Sequence, residues 1–286
     1  MRTELLDVIA CPGCGSPFEF SGDISDGRLA NGLLRCRRGH AYQVKNEIPV
    51  LKDQRLSEGE FEWKVGFPDI KKYDKIRKQY ASFLSEELVN ADREMVDEIA
   101  RAASGERVVL DVASGMGTLL LALSRSVRAR SHILGTDVDE EPLRGARIKL
   151  EEQKGYGRAS LCVMDGKHLG IRSRRLPCAV SHFGFNNIPH AGSAFREAAR
   201  VLRAHGKLLF SAIWLEEGSK SLALAEKLGY GGTMTEKGIH KAFEDAGLRV
   251  DSTEVFYSGE WRHNPMDLLP VEGDWFAHTL VSATKR

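Results

Sequence analysis

Three aspartates, each closing an apolar run, are the residues here whose type and spacing could do chemistry first: Asp111 in VVLDVASGMGT, Asp137 in ILGTDVDE and Asp165 in CVMDG. A carboxylate at the end of a strand can accept from hydroxyl or amino groups, or pair with an ammonium. Four further residues form a second set. Cys11-Pro-Gly-Cys14 is followed by Cys36-Arg-Arg-Gly-His40, two close pairs that supply three thiolates and an imidazole, the donor set of a tetrahedral structural zinc. A catalytic metal would need an open position, which four protein ligands do not leave.

The elements that must position the acids follow from pattern. Val108–Val112 is β-branched and apolar, the loop from Ala113 to Gly117 is made of small residues, and Leu119 to Ala122 begin a helical series. The reading is strand, tight glycine turn, helix amino terminus, with free backbone N–H groups at the strand's carboxyl end. A dinucleotide fingerprint would need a third glycine where Leu120 stands, and a P-loop would need Gly-Lys-Ser/Thr, which the loop lacks. An acid before the loop suits instead a ligand with an ammonium and no phosphate. S-adenosylmethionine is such a ligand. Its aminocarboxylate would meet Asp111 and the loop residues Ala113, Ser114, Gly115 and Gly117; its ribose would meet Asp137 with Val138; its adenine would meet Asp165 with Gly166. One acid at a strand end commonly caps the next helix; three in succession exceed that explanation.

From residue 107 onward strand-like and helix-like segments alternate, which predicts an α/β fold: a doubly wound, mostly parallel seven-stranded sheet. Strands are expected at Arg107–Val112, His132–Asp137, Ala159–Met164, Cys178–Phe183, Lys207–Trp214, Arg249–Ser258 and Trp275–Thr284, the last two as an antiparallel edge. Helices are expected at Gly117–Arg128, Glu140–Glu152, Ser193–Leu202 and Glu236–Ala246. Residues 1–55 form a zinc ribbon in this reading. Residues 56–105 hold a linker (Arg55–Glu62) and lead-in helices at Tyr73–Leu88 and Asn90–Ala103, and residues 106–286 form the large domain.

The 286 residues carry 41 Lys+Arg against 40 Asp+Glu, a net +1, so bulk charge draws the chain to neither nucleic acid nor membrane. Segments 35–55 and 64–80 are locally basic, with Tyr42, Tyr73 and Tyr80 interleaved, a pattern that fits an RNA-facing surface as well as a solvated face. There is no apolar run long enough to span a membrane, and residues 1–10 carry Glu4 and Asp7, so the expectation is a cytoplasmic protein. Three of the five cysteines fall within the first 36 residues, which favours a metal site over a disulfide framework.

LLDVIACPGC, CRRGHAYQV and EIPVL resemble the zinc ribbon of tRNA-methyltransferase activator subunits and of rRNA guanine-N1 methyltransferases; that resemblance implies a binding or scaffolding module. The large domain resembles class I S-adenosylmethionine-dependent methyltransferases. FGFNNIPHAGSAFREAARVLRAHGKLLF is similar to the ubiquinone/menaquinone-type C-methyltransferases. The resemblance implies that Phe183 lies near the cofactor's sulfonium and that Phe185, Asn186 and Asn187 lie at the substrate mouth. Two departures stand out. Ala113 replaces the family's usual first glycine of the loop and Ser114 a usual cysteine or glycine, and Leu176-Pro177-Cys178 stands where Phe-Asp is usual, which removes an acid from the fourth strand.

Methyl transfer from a sulfonium is an in-line displacement that depends mainly on alignment. A base is needed where the nucleophile holds a proton, and His182 and His190 are the candidates. Arg172 and Arg175, in the basic loop after Asp165, could hold an anionic acceptor, and Trp261–Gly273 could cover one. The preferred reading is an enzyme acting on a small molecule, its ribbon serving as scaffold or as a homodimer contact. An RNA methyltransferase and a catalytically silent cofactor-binding adaptor stay open.

Overall fold

The computed structural model describes residues 1–52 and 70–286. The expected linker Arg55–Glu62, Lys64, and the side chains of Lys71, Lys72, Tyr73 and Arg77 in the second basic segment lie outside the described residues.

The amino-terminal unit is a four-stranded antiparallel sheet of β1 (Phe18–Ser25), β2 (Arg28–Cys36), β3 (Ala41–Lys45) and β4 (Ile48–Pro49), in that spatial order. Two helices follow, α1 (Ile70–Ala81) and α2 (Glu86–Ala103). The helix expected over Tyr73–Leu88 is therefore two. Ser85 has extended backbone and accepts from the Leu88 N–H at 3.2 Å, so it caps a new helix rather than continuing the old one. Asp92 is consequently well inside α2 rather than near its start.

The large sheet comprises β5 (Val108–Val112), β6 (His132–Asp137), β7 (Ala159–Val163), β8 (Leu176–His182), β9 (Leu202–Leu215), β10 (Leu248–Glu260) and β11 (Trp275–Lys285). Its order is β10-β11-β9-β8-β5-β6-β7. The pairs β5–β6, β6–β7, β5–β8 and β8–β9 are parallel, while β10–β11 and β11–β9 are antiparallel. The helices between strands are α3 (Thr118–Ser126), α4 (Glu140–Glu152), α5 (Gly192–Val201), α6 (Lys220–Lys227) and α7 (Glu236–Asp245). α6 went unread in the sequence, although Ser219 caps it through the Leu222 N–H.

Alternation along the central strands explains the double winding. Leu110, Leu134 and Ala179 pack into one apolar cluster with Phe195 of α5 and Phe243 of α7. Val109, Ile133 and Val180 face the opposite cluster, with Met95 and Ile99 of α2, Leu120 of α3 and Leu143 of α4.

The small sheet packs on the large domain of its own chain. Met1, Ile9, Leu34 and Leu51 belong to the same apolar cluster as Leu110 and Met164. Val50 bridges Val163 in parallel and the Leu51 N–H donates to Val163 O at 2.8 Å, so the exit from β4 continues the sheet past β7 and covers that edge. No helix among the described residues is long and apolar enough to cross a membrane.

Candidate functional site

One cavity of about 530 Å³ opens at the carboxyl ends of the parallel strands, where ligands bind open α/β sheets. The glycine turn after β5 forms one end. Gly117 takes φ +85° as the residue before α3, and a Cβ there would lie 2.8 Å from the Cβ of Ala146, so the turn and α4 pack too closely for any side chain. Ser114 ties the turn to β6: its N–H donates to Thr136 O at 2.8 Å, and its hydroxyl accepts from the Thr136 N–H at 3.1 Å. Ser114 and Gly117 thus shape the loop, while Ala113 and Gly115 line the cavity.

The three strand-end acids differ in what they meet. Asp111 is 1% exposed, and neither carboxylate oxygen has a hydrogen-bond partner among the described residues. Burial pushes its carboxyl up to about 8. Asp137 lines the cavity and accepts from the Gly115 N–H at 2.8 Å and from the Asp139 N–H at 3.1 Å. Burial raises its carboxyl against those hydrogen bonds. Asp165 accepts from the Lys167 N–H at 2.8 Å and lines the cavity beside Gly166; Val138 completes this half with Asp139.

The fourth-strand residues separate. Phe183, with φ +55°, lines the cavity, and its ring packs on His182 at 4.4 Å and His278 at 4.7 Å, centroid to centroid. Its neighbour Gly184 is pressed against the β5 end, where a Cβ would lie 2.7 Å from Val112 O. Phe185 was expected at the mouth and is instead fully buried. The one-turn 3-10 helix Phe185–Asn187 swings it into an aromatic cluster, stacked on Phe195 at 4.5 Å and edge-on to Phe210 at 5.3 Å. Asn186 and Asn187 both line the cavity. The Asn186 amide is already engaged, donating to Thr233 O at 3.2 Å and accepting from the Ile213 N–H at 3.1 Å.

His182 lines the cavity with Nδ1 2.8 Å from Ser211 Oγ. His190 is exposed, packs on Gly229 and is absent from the lining. Arg172 and Arg175 also lie off the cavity. Arg172 faces the amino-terminal unit, its N–H donating to Val8 O at 2.8 Å and Nη2 to Leu6 O at 3.4 Å. Arg175 lies exposed at the start of β8, its N–H donating to Val201 O at 2.9 Å. The geometry therefore gives these two arginines no contact with a bound acceptor.

Apart from the segment 261–273, the opposite wall was not legible in the sequence. Tyr80 of α1, Asp92 of α2, His278 of β11 and Lys52 from the exit of the small sheet all line the cavity, as do Trp261 and Asp267–Pro270 of the segment once expected to cover it. His278 Nδ1 is 2.7 Å from Asp92 Oδ1. Burial pushes the Asp267 carboxyl up to about 6, with Tyr80 hydrogen-bonded to it; burial and that acid's charge raise the Tyr80 phenol. The one available hint was type: His278, a lone histidine in the apolar run of β11.

A second cluster shares no residue with the lining of this cavity. The ligand atoms of Cys11, Cys14, Cys36 and His40 all fall within 4.8 Å of one another, with Cys14 Sγ 3.7 Å from Cys36 Sγ and Cys11 Sγ 3.2 Å from His40 Nδ1. Hydrogen bonds from Ser16 draw the Cys14 thiol down to about 6, whereas burial pushes Cys11 up to about 11.

Residues 65–224, more than half of the chain, match the model of the ubiE/COQ5 methyltransferase family. Over 112 residues the chain is 32% identical to the ubiquinone/menaquinone biosynthesis C-methyltransferase UbiE of Pseudomonas aeruginosa strain LESB58, covering 39% of this chain and 43% of that protein. The UbiE of Pseudomonas putida strain GB-1 is 30% identical over the same shares. The match thus spans less than half the length of these relatives. Among solved structures, magnesium protoporphyrin IX methyltransferase of Synechocystis PCC 6803 superposes with a TM-score of 0.51 at 17% identity, covering 76% of this chain and 95% of that one. Geranyl diphosphate C-methyltransferase of Streptomyces coelicolor A3(2) gives 0.53 at 12%, covering 66% and 76%. At such identities the likeness shows the fold, a Rossmann-like methyltransferase sheet. With the family model covering most of that sheet and the strand-end acids Asp137 and Asp165 lining one cavity, the chain belongs to the ubiE/COQ5 methyltransferase family.

Proposed function

We propose that this chain transfers a methyl group from S-adenosylmethionine to a small-molecule acceptor by in-line displacement. The observation that carries the reading is Asp111, a carboxylate buried at the glycine turn with both oxygens unpartnered, two residues before Ala113, which lines the cavity together with Asp137 and Asp165 of the next two strands. A buried carboxylate of this kind is matched by a ligand bringing an ammonium group. The remaining parts of the cofactor fit too: Asp137 for the ribose hydroxyls, Asp165 and Gly166 for the adenine, Ala113 and Gly115 for the aminocarboxylate. When bound, the cofactor supplies a methyl on a sulfonium, an electrophile that needs alignment more than activation. Phe183 and the apolar wall of Met234, Leu268 and Ile188 would exclude water around the acceptor.

We also propose that Cys11, Cys14, Cys36 and His40 hold a structural zinc. Tetrahedral zinc bonds of about 2.3 Å put neighbouring sulfurs roughly 3.8 Å apart, close to the 3.7 Å between Cys14 and Cys36. Metal analysis of the purified protein should find one zinc per chain, lost in Cys14→Ser. Finding none would remove this part of the proposal.

Titration calorimetry with S-adenosylmethionine tests the cofactor, and absence of binding would sink the whole reading. Tritiated methyl transfer into cell extract, fractionated into small molecules, protein and RNA, tests the acceptor. Label is expected in the small-molecule fraction, in keeping with the family. Label in RNA would instead give a role to Arg35, Arg37 and Arg38, which are exposed on β2 and the turn after it. A cytoplasmic location is part of the proposal.

A further inference from the structure

Two histidines pack against the Phe183 ring, and they differ in burial and in the group each Nδ1 meets. His182 Nδ1 meets a neutral hydroxyl, Ser211 Oγ, at 2.8 Å. His278 Nδ1 meets a carboxylate, Asp92 Oδ1, at 2.7 Å. A carboxylate accepts but does not donate, so this contact puts the proton of neutral His278 on Nδ1 and leaves Nε2 as the lone-pair nitrogen. The same carboxylate stabilises the imidazolium that forms when Nε2 gains a proton, which a hydroxyl does far less well. His278 lines the cavity with a side chain only 8% exposed, and its Nε2 has no hydrogen-bond partner among the described residues.

We infer that His278, held and polarised by Asp92, is the base that takes a proton from the methyl acceptor. The acceptor is thereby assigned to molecules that carry a dissociable proton on, or conjugated to, the nucleophilic atom. The inference rests on the methyl-transfer reading above. In the step, the acceptor's O–H, N–H or C–H bond breaks, a new N–H bond forms at Nε2, and the electron pair stays on the acceptor to bond the methyl carbon. The carbon–sulfur pair departs on sulfur, which becomes a neutral thioether, and the imidazolium later returns its proton to solvent. Asp92 touches no reacting atom; it is a positioning residue.

The elements around His278 are consistent with this role. From α2 comes Asp92; from the 261–270 segment comes Asp267, whose charge acts on His278; from α1 comes Tyr80, hydrogen-bonded to Asp267; from β10 comes Tyr257, its ring 6.5 Å away; from β8 comes His182, packed on Phe183. Phe276, 5.3 Å away on β11, supplies packing. Packing alone would account for a buried aromatic ring among Phe183, Tyr257 and Phe276, but not for the carboxylate.

The test uses the full-length protein and the small-molecule fraction of cell extract as methyl acceptor, with tritium incorporation followed from about pH 6 to pH 9. His278→Gln and His278→Asn should lose roughly 10²–10⁴-fold in rate near neutrality, the range of a general base. Their rates should climb toward wild type as rising pH ionises the acceptor in solution. Asp92→Asn should lose less and shift the wild-type pH profile, whereas His182→Gln should keep its shape. Binding of S-adenosylhomocysteine, measured calorimetrically, reports that each variant is folded. No transfer by the wild type would be a failure of the methyl-transfer reading itself. Transfer by wild type with His278 variants within threefold of it, or with a loss that is the same at every pH, would overturn the role given to His278.

Discussion

Asp111 is the residue at which folding and ligand binding pull in opposite directions. Its carboxyl is raised from 3.8 to about 8 by burial, so the folded, ligand-free protein favours the protonated form. The stabilisation from that proton is fully present below the unfolded value of 3.8 and is lost as pH rises toward about 8. Thermal melts of the ligand-free wild type should therefore lose stability over that window relative to Asp111→Asn, which has nothing to ionise. Saturating S-adenosylmethionine should flatten the difference, because an ammonium beside Asp111 stabilises the charged form. Parallel melting curves for the two proteins would rule this out. Asp137 acts differently, since its carboxylate already organises the turn through Gly115. Asp137→Ala should weaken cofactor binding by about 2 kcal/mol, roughly 30-fold in calorimetry, the cost of losing hydrogen bonds to a charged group. These acids were legible because each ends its own apolar run. Asp92 and His278 were not, since 186 positions separate them and only the sheet brings them together.

At the scale of elements, the expected strands and most helices follow from periodicity, and the misreadings come from short connections. The turn Phe185–Asn187 changes the facing of successive residues at every step, so period alone could not say which of Phe185, Asn186 and Asn187 meets the cavity. Its outcome is testable. Phe185 stacks on Phe195 and meets Phe210 in the core, so Phe185→Ala should cost about 3–5 kcal/mol in chemical denaturation, with any folded fraction still binding the cofactor. A variant of unchanged stability with lost acceptor turnover would instead return Phe185 to the mouth. The break between α1 and α2 has a related cause: apolar spacing runs through residues 82–85, and Ser85, a cap, overrides it.

For the whole molecule, the open question in the sequence was what the amino-terminal unit packs against. The structure joins it to the β7 edge, and the join contains a buried ion pair. Arg28 and Glu47 are 8% and 20% exposed at their side chains; Arg28 Nη2 also donates to Ala159 O at 2.9 Å, and its guanidinium lies 4.3 Å from the Tyr156 ring centroid. Burial alone would raise the Glu47 carboxyl, but the hydrogen bond and charge of Arg28 outweigh it and hold the group below its ordinary value. A depressed carboxyl stabilises the fold above its unfolded value of 4.5 and loses that contribution as pH falls through the folded value. Taking away one partner strands the other, a loss on the order of 3 kcal/mol. Glu47→Gln should accordingly denature earlier at neutral pH, with the gap to wild type closing under acid as the wild-type Glu47 carboxylate is itself protonated. Glu47→Gln melting with the wild type at neutral pH would mean that the apolar contacts of Ile9, Leu34 and Leu51 suffice to hold the two sheets together.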